Sequence, residues 1–391
     1  MNLRDSIDHP LFGITNLPYG VFSPPDGTPR VGVRIGDHVI DLAAALYDPV
    51  FDNATLNPFM AEGATRWAAV RRAITELIRE GTVPPPAIHR LSGVTLHLPF
   101  AVADYVDFYA SEHHASNLGR LFRPDSEPLL PNWKHLPVGY HGRAGTVVVS
   151  GTPIVRPSGQ RRAADQAQPE FGPSTRLDIE AEVGFVVGTG SPLGQPISVD
   201  DFATHVFGAV LVNDWSARDL QAWEYVPLGP FLGKSFATTI SAWVVPLAAL
   251  ESARIHRPPQ QPQPLAYLRE RESWFLDIDI SVSWNGCAVA RPPYAEMYWS
   301  PAQMLAHTTV NGAAARTGDL FASGTVSGPQ KHQRGSFIEL SWGGNEPISI
   351  GEHRRIFLED GDDVVITAVA PGPQGTHIGF GEVAGRIIGH R

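Results

Sequence analysis

A single cysteine, Cys287, is all the sequence holds, which excludes an internal disulfide framework and any multi-cysteine zinc or iron–sulfur site. No run of 18 or more apolar residues occurs, so a transmembrane helix is not expected. The opening Met1-Asn2-Leu3-Arg4-Asp5-Ser6 has no basic stretch followed by an apolar one, and the expectation is a cytoplasmic protein. Charge is scarce at 18% of residues, against about 25% ordinarily. What charge there is sums to −10, which gives no general attraction to phosphate backbones or anionic lipid, so neither nucleic acid nor membrane is an expected partner. Familiar signatures are also missing: no G-x-S-x-G elbow, H-E-x-x-H or EF-hand loop occurs. Gly229-Pro230-Phe231-Leu232-Gly233-Lys234-Ser235 is one residue short of a phosphate loop and carries a proline inside it. Gly188-Thr189-Gly190-Ser191-Pro192-Leu193-Gly194 has the wrong spacing for a dinucleotide fingerprint.

What remains is a chain of 391 residues, 43% of them hydrophobic, long enough for two domains with real cores. Its 38 glycines and 35 prolines predict many turns and little long helix. Residues 31–42 read as a β-hairpin around Gly36-Asp37. Trp67, Val70, Ile74, Leu77 and Ile78 repeat at helical spacing within 62–80, and Gly81 ends the run. Pro84-Pro85-Pro86 then gives a stiff exit, and the expected boundary lies near residue 100, dividing 1–99 from 100–391. Beyond it, strands are expected at 146–150, 176–187, 276–290, 336–342, 355–358, 363–370 and 378–388. Short helices are expected at 112–121, 216–223 and 301–307, and the proline-rich stretch 258–264 as a surface loop. The expected architecture is mainly β: a small β-rich N-terminal domain and a large sandwich or roll.

The strongest local signal is Leu177-Asp178-Ile179-Glu180-Ala181-Glu182-Val183-Gly184-Phe185. As a strand it sets Asp178, Glu180 and Glu182 on one face about 7 Å apart, opposite an apolar face. A wetted acidic face competes evenly with a cation site on this segment alone. The apolar run 206–212 ending in Asn213-Asp214-Trp215, and Asp107 among the aromatics of 104–109, tilt the balance toward a cation. Two carboxylates about 4 Å apart repel by about 4 kcal/mol at an effective dielectric of 20, so gathering several calls for a divalent ion or protonation. Oxygen ligands suit Mg²⁺ or Ca²⁺ rather than zinc.

In Ser111-Glu112-His113-His114, a histidine in the first turn of a helix beside Asp107 is suited to general-base work. Spacing alone does not choose between His113 and His114. Ser216 and Asp219 have capping-box spacing. Arg218 and Gln221 fall on one helix face where both could meet an anion.

The segments Pro131-Asn132-Trp133, Leu136-Pro137-Val138-Gly139-Tyr140-His141-Gly142-Arg143, Asn213-Asp214-Trp215-Ser216-Ala217-Arg218-Asp219 and Trp223 through Ser235 resemble the fumarylacetoacetase family, and the likeness runs from Asn16 to Gly381. The resemblance implies an SH3-like N-terminal barrel, a C-terminal β-sandwich roll and a homodimer. It implies metal-dependent hydrolysis of a carbon–carbon bond in 4-fumarylacetoacetate, giving fumarate and acetoacetate in the last step of tyrosine and phenylalanine degradation. Asp107, Glu180, Glu182 and Asp214 match the family's ligands to Ca²⁺ or Mg²⁺, with Lys234 and the Thr238 backbone beside the ion; Asp178 is outside that set. His114 matches the general base and Glu339 its orienting partner. Arg218, Gln221 and Lys234 match the groups that stabilise developing negative charge. Tyr109, Arg123, Tyr140, Tyr225 and Thr325, with Arg218 and Gln221, match substrate contacts. The alternatives are an acylpyruvate hydrolase, decarboxylase or tautomerase of the same fold, or a non-catalytic metal-binding protein.

Overall fold

The computed structural model describes residues 3–163 and 166–390. The hairpin forms as expected, Arg30–Ile35 against His38–Asp41. The long amphipathic helix runs Ala64–Glu80 and stops at Gly81, whose φ of 69° suits a residue without a Cβ. At the second predicted turn, Asn285 and Gly286 both take positive φ, and Trp284 pairs with Cys287 across it.

Mainly β architecture is borne out. The largest sheet runs Ile88–Arg90, His38–Asp41, Arg30–Ile35, Tyr19–Ser23, Trp243–Pro246, Val206–Asp214, Ala181–Val187, Leu320–Ala322, Tyr105–Phe108, Gly139–His141. Strands from the first hundred residues therefore share one hydrogen-bonded sheet with the rest, joined where Tyr19 pairs with Val244. A second sheet of Cys287–Ala290, Asp279–Trp284, Asp363–Pro371, His377–Ile388 and Ile154–Val155 shares a core with the first, Val183, Phe185 and Leu211 clustering with Val282, Ile366 and Phe380.

Curvature of the large sheet positions the site. Thr238–Ile240 pairs with the end of Val206–Asp214 on one side and, in parallel, with Val147–Val149 on the other. At the opposite edge lies Gly139–His141. Only residues 142–146 separate these two edges in sequence, a span of at most about 18 Å. The sheet must curl for so short a link to join them. Flat, it would hold the Asp107 and Asp214 strands about 14 Å apart across two intervening strands.

Three local expectations are corrected. Residues 336–342 form no strand: Phe337–Leu340 is a single helical turn, followed by a 3₁₀ turn at Trp342–Gly344. The strand expected at 355–358 is found instead at His353–Arg355, overlapping only at Arg355, with Leu358 making an isolated bridge to Leu177. The alternation at 176–187 breaks into Leu177–Asp178 and Ala181–Val187, because Asp178 turns to bond Ile179 N–H and the turn at Phe337.

Candidate active site

Inside the curl, four carboxylates converge. Asp107 sits in Tyr105–Phe108, opposite Tyr140. Glu182 belongs to Ala181–Val187, and Asp214 ends Val206–Asp214 opposite Thr238. Glu180 lies in the break, bridged to Ser336. All four are buried, and one oxygen of each lies within 4.8 Å of the others. The wetted-face reading therefore fails.

Their partners are uneven. Lys234 Nζ donates to Asp214 at 2.5 Å and to Glu180 at 2.9 Å. Thr238 Oγ1 donates to Asp214 at 3.1 Å, and Arg218 Nη1 to Glu180 at 2.7 Å. Among the described residues, Asp107 Oδ1 and both oxygens of Glu182 have no hydrogen-bond partner. Burial first, then Asp214, pushes the Asp107 carboxyl well above its ordinary value; for Glu182 the causes are burial and then Asp107. Glu180 goes the other way, for although burial favours its neutral form, Lys234 and Arg218 outweigh it and hold the carboxyl low. Orphaned, buried, oxygen-only donors with excess negative charge fit a bound cation.

The histidine choice is resolved by burial. His114 is buried while His113 lies near the surface, 3.6 Å from Glu296. Ser111 caps the helix Glu112–Phe122 by accepting from His114 N–H. This turns the imidazole toward Glu339, whose Oε2 lies 2.7 Å from Nδ1. Glu339 also receives Asn117 Nδ2 at 2.9 Å, Ser327 Oγ at 3.0 Å and Ser336 Oγ at 2.7 Å. Burial alone would raise its carboxyl, but His114 and these donors bring it below the ordinary value. An ionised carboxylate only accepts, so Nδ1 donates its proton to Glu339 and Nε2 is the ring nitrogen left free of that bond.

A cavity of about 450 Å³ opens over this arrangement, walled in part by Asp107, Tyr109, His114, Arg123, Tyr140, Glu180, Gln221, Tyr225 and Lys234. Tyr225 stands exposed at its mouth. Arg218, Glu182, Glu339 and Thr325 do not line it, and Asp214 and Thr238 line an adjoining cavity that shares Tyr140 and Lys234 with it; the Thr325 hydroxyl is buried with no partner among the described residues. The expectation that Arg218 and Gln221 both face an anion is half met. Gln221 lines the cavity, but Arg218 is committed to Asp178, Glu180 and Gln221 Oε1. Nor does Ser216 cap the next helix: Ala217 precedes Arg218–Glu224, and Asp219 instead receives Ser174 Oγ and Thr175 N–H. Sequence gives no signal for Asn117, Ser327 and Ser336, because small polar residues in unpatterned segments have no periodicity.

Comparison with known proteins agrees with the geometry. Residues 104–388 match the family described as fumarylacetoacetate (FAA) hydrolase C-terminal, and residues 15–99 the one described as fumarylacetoacetase N-terminal. The chain is 46% identical to the fumarylacetoacetase of Homo sapiens, and 44% identical to that of Arabidopsis thaliana, over 96% of each chain in both cases. The fold is similar to the solved fumarylacetoacetate hydrolase of Exiguobacterium antarcticum, with a TM-score of 0.58 at 18% identity, covering 95% of this chain and 99% of that one. On the match across both segments and the identity sustained along nearly its whole length, the chain belongs to the fumarylacetoacetase family.

Proposed function

We propose that this protein is a hydrolase that cleaves the carbon–carbon bond of 4-fumarylacetoacetate, releasing fumarate and acetoacetate in tyrosine and phenylalanine degradation. The observation that carries the reading is the His114–Glu339 pair at 2.7 Å, with His114 and the carboxylates Asp107 and Glu180 on one cavity.

Asp107, Glu180, Glu182 and Asp214 would hold the metal, Ca²⁺ or Mg²⁺, with Lys234 and Thr238 beside it. When bound, such an ion supplies Lewis-acid polarisation of the diketone oxygens. The chain's own residues do the rest. His114 Nε2 takes a proton from water, and Glu339 holds the ring and steadies the imidazolium. The hydroxyl adds to the fumaryl carbonyl, and the adjacent C–C bond then breaks with its electron pair on the acetoacetate carbon, which is protonated on release. Two of the three Lys234 N–H groups are used by Asp214 and Glu180, leaving the third for the tetrahedral oxyanion together with Gln221; one such donor is worth about 2.7–4 kcal/mol. Arg123 can pair with a substrate carboxylate, and Tyr109, Tyr140 and Tyr225, which line the cavity, complete the substrate contacts, while Arg218 bears on the site through Glu180 and Gln221. The same reading includes a homodimer in the cytoplasm. It also includes an SH3-like barrel within 1–99 and a sandwich roll over 100–391, supported by the antiparallel pairing of Tyr19–Ser23, Arg30–Ile35 and His38–Asp41.

The test is loss of the ultraviolet absorbance of fumarylacetoacetate on adding purified protein, repeated after chelation and again after Ca²⁺ or Mg²⁺ is restored. Turnover that vanishes and returns supports the reading. Inertness toward this substrate with cleavage of acylpyruvates would replace it with the related hydrolase.

A further inference from the structure

Asp178 is fully buried and lies outside the group of four carboxylates. Four donors nevertheless converge on it. Its Oδ1 receives the N–H groups of Ile179 and Phe337, each at 2.7 Å. Its Oδ2 receives Ile338 N–H at 3.0 Å and Arg218 Nε at 2.8 Å. A carboxylate offers about four lone-pair sites, and here all are filled by donors; an amide in its place would turn an NH₂ toward two of them. The position demands an ion that only accepts.

What those donors belong to gives the carboxylate its meaning. Phe337 and Ile338 open the turn Phe337–Leu340, where Ser336 makes no side-chain cap bond, so Asp178 takes the cap's place from 159 residues away in the chain. The next residue on that turn is Glu339, which holds His114. On the other side, Asp178 occupies Arg218 Nε and thereby aims Nη1 at Glu180 and Gln221. Arg218 Nη2 is buried with no partner among the described residues. One carboxylate thus fixes both the arm that orients the base and the arm that braces Glu180 and Gln221.

We infer that Asp178 is a positioning residue, setting the aim of the His114–Glu339 pair and of Arg218; its kinetic consequence rests on the hydrolysis proposed above. Asp178→Asn in the full-length protein loses about 10–100-fold in kcat, the usual range for groups that orient a site's first ligands. KM and Ca²⁺ affinity by calorimetry, reached only through Arg218, change by less than kcat does. In protein labelled with ¹⁵N-histidine, the hydrogen-bonded Nδ1 proton of His114 shifts or disappears. A merely structural role would lower the melting temperature and leave that resonance, and kcat well below melting, where they were. Such a result overturns the inference, as does loss of Ca²⁺ binding in parallel with kcat, which would make Asp178 part of the metal site. If Asp178→Asn does not fold, Asp178→Glu carries the test: it keeps the charge but reaches one methylene too far, so a lowered kcat with a displaced resonance is expected. Wild-type values of both in that variant would refute it. Should wild-type protein fail to turn over fumarylacetoacetate, the proposed function falls, while the His114 resonance still decides the role of Asp178.

Discussion

Glu182 brings two oxygens into the interior with no donor to either among the described residues, and a group so placed costs stability in the metal-free protein. Burial and then Asp107 raise its carboxyl well above the ordinary value. For an acid raised in the folded state, stability is full below the unfolded value near 4.3 and is lost as pH climbs through the folded value. Glu182→Gln should therefore stabilise the chelated protein at neutral pH by about 1–3 kcal/mol, with the gain fading in acid, while metal affinity collapses. Denaturant melts in chelator at two pH values, beside calcium titration, check both halves; a destabilised chelated variant at neutral pH would contradict the argument. His114 predicts a different signature. Its ring makes no hydrogen bond to Asp107, Glu180, Glu182 or Asp214, so His114→Ala should keep metal and fold and lose about 10²–10⁴ in kcat. Near-normal turnover would remove it as the base. At this scale the sequence was legible unevenly. Asp178, Glu180 and Glu182 announced themselves by alternation, yet spacing alone left a wetted face open, because solvent is excluded by the curl of strands distant in the chain. Asn117, Ser327 and Ser336, which hold Glu339, meet only in three dimensions.

Among elements, the short turn Phe337–Leu340 shows how a local pattern can mislead. Phe337, Ile338 and Leu340 suit a strand, but the N–H groups of Phe337 and Ile338 find the Asp178 carboxylate, and that distant acceptor outweighs propensity. The helix Pro301–Thr309 forms where spacing predicts it, and it opens on a capping box of Ser300 with Gln303. It carries a pH dependence of its own. Ser300 Oγ donates to Glu270 at 2.6 Å, and burial, only partly offset by that bond, lifts the Glu270 carboxyl to about 7. The acid is raised, so its contribution is present below about pH 4.3 and is lost as pH rises through 7. Glu270→Gln should accordingly leave acid stability unchanged and add of the order of 1–2 kcal/mol at pH 8, allowing for solvent screening at a part-exposed group. Melting curves from pH 5 to 8 measure this, and parallel curves for variant and wild type would show that Glu270 ionises freely.

For the whole molecule, the question is whether the segment 1–99 is separable from residues 100–391. Composition and Pro84-Pro85-Pro86 place a boundary near 100, but the pairing across it could not be read from a hydrophobic pattern, which registers faces and not neighbours. Tyr19–Ser23 adds to the edge of Trp243–Pro246, and Tyr19 and Val21 share a core with Val186, Phe207, Val210, Val212 and Val244. Without residues 1–99, that edge would present unpaired backbone groups, and an apolar sheet face would meet water. Both are routes to aggregation. The strand whose outer face is stripped, Val206–Asp214, ends in a carboxylate of the acidic cluster, so loosening it would also loosen the site. A chain of residues 100–391 should be insoluble or molten, without cooperative melting and without turnover, and residues 1–99 supplied in trans should restore part of both. Soluble expression of 100–391 with a sharp melting transition and wild-type calcium affinity would show instead that the shared sheet is a contact of convenience and that residues 100–391 stand by themselves.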